Sequence, residues 1–226
     1  MASQDSMGSG NISRCPISDQ KRFELYKRGV SFRINWLLSD YRVPLNIFEK
    51  GDTVIDIGAN CGELNFCSAL DDCTYIAIEP DPEAFKALSL NHPNSILVNC
   101  ALSDINGEQL FYLSTSEADS SLYKPQIFTG TVEVKVSTLD ECLNSVYQSG
   151  SIKLLKIEAE GMEPEILRGG RDTLRRTKYI ALDAGPERGG ESTAPECLNL
   201  LHDMGYKIKS TYLFRGTFFL ENSLIS

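Results

Sequence analysis

The sequence has few of the features that mark secreted, membrane or metal-binding proteins. Its 226 residues include seven cysteines, but no two of them form the close C-x-x-C pair of structural zinc sites and redox motifs. It contains no run of about 18 apolar residues, and its first residues lack a charged segment followed by an apolar one. We therefore expect a cytoplasmic protein with reduced thiols and no membrane span, and no residue spacing singles out a metal site.

Positive charge is also scarce. The chain has 22 basic and 31 acidic residues, which gives a formal net charge of −9. Because an acidic surface is repelled by a phosphate backbone, the charge argues against a nucleic-acid partner. The composition, 42% hydrophobic and 23% charged, is that of an ordinary globular protein long enough to form one domain.

The pattern of apolar residues changes near residue 51. Residues 1–19 are rich in small polar residues and predict an unstructured tail, whereas the looser helical spacing of residues 20–50 predicts a helical lead-in. From residue 51 to 226, short apolar runs rich in β-branched residues alternate with helical stretches. The runs span residues 52–58, 74–80, 95–102, 152–158 and 178–185. Such alternation predicts an α/β domain with a mostly parallel sheet and helices on both faces.

The last part of the domain has a different pattern. Residues 205–222 contain two β-rich segments joined near Arg215 and Gly216. Two strands separated by a short turn pair in antiparallel fashion. We therefore expect a C-terminal antiparallel hairpin at the edge of the sheet.

Ligands of open α/β sheets bind at the carboxyl ends of the strands, so the end of the first strand, VIDIGANCGE, is informative. Gly58 and Gly62 allow a tight turn into a helix whose N-terminus faces a ligand. Asn60 stands where a dinucleotide-binding G-x-G-x-x-G motif has its second glycine, and Asp56 adds a carboxylate at the strand tip. This pattern disfavours a diphosphate and favours a ligand with an ammonium and a sulfonium, such as S-adenosylmethionine.

The second and third strands supply further cofactor candidates. Glu79 ends the second strand, where nucleoside-binding α/β folds accept the ribose hydroxyls. Asp81 and Phe85 follow it and either surround the adenosine or act as a helix cap and a core residue. Ser103 and Asp104, after the third strand, either contact the adenine or form an ordinary Asx turn. The combined strand, glycine and glutamate pattern is typical of a class I methyltransferase.

These motifs resemble those of the FkbM family of S-adenosylmethionine-dependent methyltransferases. DTVIDIGANCGELN is similar to the family's first motif, AIEPDPEAFKALSLN to its second, and VSTLDECL with IKLLKIEAEGMEPEILRGG to a later block. The resemblance covers residues 51–182. It implies a Rossmann-like class I fold with a seven-stranded sheet, and O-methylation of a hydroxyl on a sugar, a glycan or a secondary metabolite. Glu158 stands where the family usually has Asp, and the segment DAGPERGGEST does not map onto a family motif.

The catalytic candidates lie where the strand LLKIEAE ends. If this segment is extended, Lys156, Glu158 and Glu160 point to one side. Methyl transfer to an alcohol requires a group that receives the hydroxyl proton, and each of these residues is a candidate for that base or for an acceptor ligand. Alternatively, Lys156 forms a salt bridge with Glu158 or Glu160 that only holds the strand tip.

Three other polar segments have two interpretations each. Glu163 and Glu165 flank Pro164 and are expected to begin a helix rather than to act in catalysis. Asp183, with Glu187 and Arg188 after it, either binds acceptor hydroxyls or lies in a turn. Residues 116–125 form either a lid, with Ser120 and Ser121 near the cofactor, or an exposed loop.

Two other functions remain open at this point. One is an NAD(P)-dependent oxidoreductase on the same architecture, which the missing second glycine disfavours. The other is a cofactor-binding or scaffold protein without catalytic activity. The sequence leaves the oligomeric state and the identity of the small-molecule or glycan acceptor open.

Overall fold

The structure is a computed structural model that describes residues 27–114, 120–148 and 150–225, together with the backbone of residues 2–4 and 12–14. Within these ranges there are six α-helices: α1 (Val30–Tyr41), α2 (Pro82–Asn91), α3 (Leu139–Val146), α4 (Glu163–Arg168), α5 (Arg171–Arg175) and α6 (Ala194–Asp203). The strands are β1 (Ala2–Gln4), β2 (Ile12–Arg14), β3 (Thr53–Ile57), β4 (Thr74–Ile78), β5 (Ile96–Val98), β6 (Ala101–Ser103), β7 (Gly107–Leu113), β8 (Gly130–Thr138), β9 (Ile152–Ile157), β10 (Thr177–Asp183), β11 (Tyr206–Tyr212) and β12 (Thr217–Asn222).

A seven-stranded sheet in the order β11-β12-β10-β9-β3-β4-β5 forms the centre of the fold. Strands β10, β9, β3, β4 and β5 are parallel, and β12 is antiparallel to both β10 and β11. The predicted α/β fold and the edge hairpin are therefore confirmed. From β3 the chain proceeds to β4 and β5 in one direction and later to β9 and β10 in the other, so the topological switch point lies between β3 and β9.

Two apolar layers cover the two faces of this sheet. Alternating residues of a strand point to opposite faces, so Ile55 and Leu155 pack with α3 to α6. Val54 and Leu154 point the other way and pack with α1, α2 and the segment after β3. Lys156 lies two positions after Leu154 in β9, so its side chain points to the same face of the sheet and faces α1.

A second sheet, of three strands in the order β6-β8-β7, was not predicted. The apolar run 95–102, expected to be one strand, divides at Asn99 and Cys100 into β5 of the main sheet and β6 of the second sheet. The Asn99 side chain donates hydrogen bonds to the backbone oxygens of Glu79 and Pro80. This break carries the chain away from the main sheet.

The segment after β3 also differs from its prediction. Instead of an α-helix it contains two 3₁₀ turns, Glu63–Phe66 and Ser68–Leu70. Gly62 before the first turn has a left-handed φ of 83°, and Cys67 between the turns is extended, so a continuous helix cannot form.

The N-terminal predictions are described only in part. Most of the predicted tail, residues 1–19, lies outside the described residues, although the backbones of β1 and β2 pair in antiparallel fashion. The described part of the lead-in contains α1 and a 3₁₀ turn at Leu45–Ile47. Within the described ranges, no helix combines the length and the apolar character needed to cross a bilayer.

Candidate active site

A cleft of about 1100 Å³ opens at the carboxyl ends of β3, β4, β9 and β10. One side, here termed the β4 half, is lined by residues 57–60, 78–84 and 100–102. The other side, the β10 half, is lined by Tyr41, Lys156, Glu158, Asp183, Glu187 and Arg215. The cleft therefore lies at the switch point, where ligands of open α/β sheets bind.

Glu79 is the buried acid of the β4 half. Its Oε2 accepts a hydrogen bond from the Asn60 backbone N–H at 2.7 Å, and its Oε1 accepts one from the Asp81 N–H at 2.8 Å. Burial raises the pKa of Glu79 to about 7, although both hydrogen bonds oppose the shift. Each carboxylate oxygen keeps a second lone pair, so the group can still accept hydrogen bonds from a ligand.

The two glycines of the first motif have different tasks. Gly58 has a φ of 68°, and a Cβ on it would lie 1.8 Å from the Glu158 backbone oxygen, so this glycine allows the loop after β3 to lie against the end of β9. A Cβ on Gly62 would lie 2.4 Å from the His92 ring. The His92 Nε2 donates a hydrogen bond to the Gly62 carbonyl at 2.8 Å. Gly62, predicted to contact the cofactor, therefore makes room for His92 beneath the loop.

Lys156 is almost fully buried at the switch point. Its Nζ donates hydrogen bonds to Asp56 Oδ1 at 2.9 Å and to the Gly58 carbonyl at 3.2 Å, and it lies 3.1 Å from Glu158 Oε2. Burial alone would lower the pKa of Lys156, but the charges of Asp56 and Glu158 raise it well above the ordinary value. A permanently protonated ammonium cannot accept a proton, so the ion-pair interpretation of Lys156 holds.

Asp56 belongs to the same buried pair. It lies opposite Lys156 in the register of β3 and β9, and its Oδ2 also accepts a hydrogen bond from the Tyr75 hydroxyl at 2.6 Å. Lys156 therefore neutralises the carboxylate that Asp56 places at the strand tip.

Glu158 and Glu160 do not continue the strand. β9 ends at Ile157, and Glu160 has a left-handed φ of 50°, so the predicted extended row of Lys156, Glu158 and Glu160 is not formed. Glu158 faces the β10 half. Burial would raise its pKa, but the positive charge of Lys156 outweighs this effect and lowers the pKa.

The end of β10 carries a second acid. Asp183 Oδ2 accepts a hydrogen bond from Arg215 Nη2 at 3.0 Å, and Oδ1 accepts one from the Gly185 N–H at 3.2 Å. Arg215 lies in the turn of the β11–β12 hairpin. Gly216 permits the close approach of this turn, since a Cβ there would lie 3.0 Å from the Gly185 Cα.

The acids around α4 are structural, as predicted. Glu163 begins α4 and is completely buried. Its Oε1 accepts hydrogen bonds from the N–H groups of Ala159 and Gly161, and its Oε2 accepts one from the Thr193 hydroxyl. Glu163 therefore fixes the loop that follows β9.

Two neighbouring serines connect the second sheet with both sides of the cleft. The Ser120 hydroxyl donates to Asp81 Oδ2 at 3.3 Å, and the Ser121 hydroxyl donates to the Glu160 carbonyl at 2.8 Å. The start of the predicted lid, residues 116–119, lies outside the described residues.

Comparison with known proteins identifies the family. Residues 56–208 match the family described as the Methyltransferase FkbM domain. The chain belongs to the FkbM methyltransferase family. This assignment makes it a methyltransferase rather than an oxidoreductase or a scaffold protein, and it agrees with the class I fold of the main sheet.

Two curated relatives are methyltransferases by name, and one of them is named for hexuronic acid. The chain is 27% identical over 202 residues to 2-O-methyltransferase NoeI of Sinorhizobium fredii, which covers 79% of this chain and 82% of the relative. It is 25% identical over 150 residues to hexuronic acid methyltransferase AglP of Haloferax volcanii, which covers 63% of this chain and 59% of the relative.

Solved structures include more distant matches. TrmK of M. capricolum in complex with S-adenosyl-homocysteine matches with a TM-score of 0.44 and 11% identity, over 85% of this chain and 68% of that chain. Magnesium protoporphyrin IX methyltransferase of Synechocystis PCC 6803 matches with a TM-score of 0.44 and 12% identity, over 95% and 85% of the two chains.

Some residues predicted to contact the cofactor of this FkbM domain lie elsewhere. Asp81 lines the cleft, but its Oδ1 caps α2 by accepting hydrogen bonds from the next helical N–H groups. Phe85 packs in the apolar layer beneath α1 and is not part of the cleft wall. The alternative interpretations of both residues, as cap and as core, fit the structure.

Ser103 and Asp104 also lie away from the cleft wall. The Ser103 hydroxyl donates to Asp104, whose Oδ2 pairs with Arg168 at 3.0 Å. The break between β5 and β6 moves both residues past the cleft, and residues 100–102 line it instead. Their contact with an adenine ring is thus not supported.

Seven of the residues that line the cleft lie outside the stretch that matches the FkbM domain, and two of them belong to the β10 half. Tyr41 ends α1, and Arg215 lies beyond residue 208. Neither was predicted, because only the packing of α1 and of the hairpin turn against β10 places them at the cleft. The parity of the strand residues was the one available signal, since it directs Lys156 towards the same face as α1.

Proposed function

We propose that this FkbM methyltransferase transfers the methyl group of S-adenosylmethionine to a hydroxyl of a sugar or glycan. The observation that carries the proposal is Glu79 at the carboxyl end of β4, a buried carboxylate with one remaining lone pair on each oxygen. The two adjacent hydroxyls of a ribose can each donate a hydrogen bond to one oxygen of such a group.

The rest of the β4 half is consistent with the same cofactor. Cys100, Ala101 and Leu102 form an apolar wall suited to a flat adenine ring. The turn through Gly58 and Asn60 brings backbone rather than side chains to the centre of the cleft. When bound, S-adenosylmethionine supplies an electrophilic methyl group on a sulfonium.

The hydroxyl acceptor is supported by the name of the 2-O-methyltransferase relative, and the sugar by the name of the hexuronic acid methyltransferase and by the polar β10 half. Carboxylate, guanidinium and phenol groups converge there around space left beside the proposed cofactor site. The hydroxyls of a sugar require several such hydrogen-bonding partners in one pocket.

Cofactor binding can be tested by titration calorimetry with S-adenosylmethionine. We expect the wild type to bind, and Glu79→Gln to weaken binding about tenfold or more, since a hydrogen bond to a charged group contributes about 1.5–3 kcal/mol. Glu108→Gln, at an exposed position of β7, should bind like the wild type. A wild type that does not bind the cofactor would refute the proposal.

The acceptor class can be tested by mass spectrometry. The protein is incubated with methyl-labelled S-adenosylmethionine and a panel of neutral and uronic acid methyl glycosides, together with a glycan extract. We expect label in an alkali-stable methyl ether, whereas label confined to carboxyl esters or amines would contradict O-methylation of a hydroxyl.

A further inference from the structure

The β10 half contains two buried polar atoms without partners. Tyr41 is 3% exposed, and its hydroxyl, which faces the Glu158 carboxyl, makes no hydrogen bond of normal geometry with any described residue. The Glu187 Oε2 is likewise buried and unpaired within the described structure. Buried polar atoms in native proteins are nearly always hydrogen-bonded, so two such atoms lining one pocket indicate the position of a ligand.

Two of the three catalytic candidates from the sequence, Lys156 and Glu158, are poor bases in this structure, and the third, Glu160, lies beyond the end of β9 with a left-handed φ of 50°. Lys156 is held protonated by Asp56 and Glu158. Glu158 is paired with Lys156 at 3.1 Å, and this pairing stabilises its ionised form and makes it a weak proton acceptor. The proton of the acceptor hydroxyl therefore requires another destination.

Asp183 has the geometry for this task. It lies at the carboxyl end of β10. Because the side chains of a strand alternate between the two faces of the sheet, Asp183 points to the face covered by α1, where Tyr41 lies. The side chain is almost fully buried but lines the cleft, and each carboxylate oxygen accepts one hydrogen bond from the protein. The second lone pair of each oxygen is available for a hydroxyl of the acceptor.

This inference rests on the proposed function and extends it to residues of the acceptor site. We propose that Asp183 is the catalytic base of the methyl transfer, and that the Tyr41 hydroxyl and the Glu187 carboxyl bind the acceptor sugar beside it. As the acceptor oxygen bonds to the methyl carbon, the carbon–sulfur bond breaks and its electron pair remains on sulfur, which yields S-adenosylhomocysteine. The hydroxyl proton moves to the Asp183 carboxylate and from there to water.

The surrounding charges are consistent with these roles. Asp183 is faced by Arg215 from the hairpin turn, Glu158 after β9, Glu163 on α4, and Tyr41 and Glu187. Burial, reinforced by Glu158 and opposed by Arg215, raises the pKa of Asp183 to about 6. A base is most effective when its pKa is near the working pH and it is still ionised.

Glu187 differs from Asp183 in its protonation. Burial and the charges of Glu163 and Asp183 raise the pKa of Glu187 to about 9. Glu187 is therefore a neutral carboxylic acid at neutral pH and can donate a hydrogen bond to a sugar oxygen. The raised pKa of Tyr41 likewise keeps its hydroxyl protonated.

The base is tested with Asp183→Asn, using the glycoside that the panel shows to be methylated fastest. We expect kcat to fall about 100-fold or more, the usual contribution of general base catalysis, with an unchanged dissociation constant for S-adenosylmethionine. With S-adenosylmethionine held at saturation, so that protonation of Glu79 does not limit cofactor binding, the wild-type kcat/KM for the acceptor should fall as the pH drops through about 6. This limb should be absent in Asp183→Asn, and Asp183→Glu should restore part of kcat.

Two further variants separate catalysis from binding and from general effects. Tyr41→Phe should raise the acceptor KM about fivefold and alter kcat less, because one hydrogen bond to the acceptor is lost. Asp172→Asn changes an exposed aspartate of α5 and serves as the matched control with wild-type kinetics.

The outcomes distinguish this proposal from the proposed function. If the wild type fails to bind S-adenosylmethionine, the proposed function is wrong. If it binds the cofactor but methylates no glycoside, the acceptor class and the assignment of Tyr41 and Glu187 are wrong. If Asp183→Asn keeps most of kcat, or loses activity while the acidic limb of the pH profile persists, Asp183 is not the base.

Discussion

The two halves of the cleft differ in how completely their polar groups are satisfied. In the β4 half, Glu79 accepts two backbone hydrogen bonds and Asp81 caps α2. In the β10 half, Tyr41 and Glu187 each bury a polar atom without a partner within the described residues. The β4 half is thus complete before a ligand arrives, whereas the β10 half gains hydrogen bonds only when one binds.

The two halves also differ in how they relate to the FkbM match, although Glu187 of the β10 half lies inside it. The β4 half lies wholly within residues 56–208, but α1 and the hairpin turn of the β10 half lie outside them. Parts of the fold added outside the common domain are therefore well placed to determine the acceptor.

The largest effect is expected at Lys156, which joins the two halves. Lys156→Met leaves Asp56 as a buried charge without its cation and should lower the free energy of unfolding by about 3–5 kcal/mol. Adding Asp56→Asn should recover much of this loss, since the uncompensated charge is removed. Urea denaturation measures the free energy of unfolding of both variants. Arg175→Met, which breaks the exposed pair with Asp172, serves as the control. Equal losses of unfolding free energy in the single and double variants would contradict the interpretation.

The next largest effect on stability is expected from a comparison of two buried tyrosines, one whose hydroxyl makes a hydrogen bond of normal geometry and one whose hydroxyl does not. The Tyr75 hydroxyl donates to Asp56, so Tyr75→Phe should cost about 1.5–3 kcal/mol of unfolding free energy. Tyr41→Phe removes a buried hydroxyl without a normal hydrogen bond and should leave stability unchanged or raise it. A loss at Tyr41 as large as that at Tyr75 would remove the contrast on which the acceptor site depends.

The smallest effect concerns the pH dependence of cofactor binding in the β4 half. The free protein holds Glu79 with a pKa of about 7, and ribose hydroxyls bind the ionised form better. The affinity for S-adenosylhomocysteine should therefore fall about tenfold from about pH 8 to about pH 6, as the ionised fraction falls. Calorimetry at both pH values should show this change in the wild type. In Glu79→Gln, the only remaining pH dependence of the affinity should come from the amine of the ligand itself.

The same carboxyl also affects the stability of the free protein. Its folded pKa is raised above the unfolded value of 4.5, so the folded state binds more protons in this range. The contribution of Glu79 to stability is fully present below pH 4.5 and is lost as the pH rises through about 7.

Local sequence patterns located the loop after β3 and the glutamate after β4, but not the residues after β5 that line the β4 half. Strand ends, left-handed glycines and the glutamate after β4 depend on neighbours a few positions away, so the motif specifies Gly58, Asn60 and Glu79 together. Gly62 shows the limit of this reasoning, because the buried His92 that requires the glycine lies 30 residues further along the chain.

The β10 half depends on contacts that no local pattern encodes. Lys156 pairs with Asp56 across 100 positions of sequence, and the hairpin turn brings Arg215 to Asp183 across 32. The alternation of side chains along a strand predicted that Lys156 and Glu158 point to the same face. It could not predict that the strand ends at Ile157, which turns Glu160 away from that row.

The fold shows the same division. The parallel order of β3, β4, β9 and β10 follows from alternating strands and helices, and it was predicted. The second sheet was missed because residues 95–102 were expected to form one strand. Asn99 interrupts the apolar residues of this run, and the hydrogen bonds of its side chain to residues 79 and 80 mark the break.

The adjacent serines at the end of the β7–β8 connection have a mechanical consequence. Ser120 donates a hydrogen bond to Asp81 on one side of the cleft, and Ser121 donates one to the Glu160 carbonyl on the other side. Consecutive residues cannot separate by more than the length of one peptide unit, about 3.8 Å. These two hydrogen bonds therefore limit how far the two sides of the cleft can move apart. For the cleft to widen for product release, at least one of the two hydrogen bonds must break first.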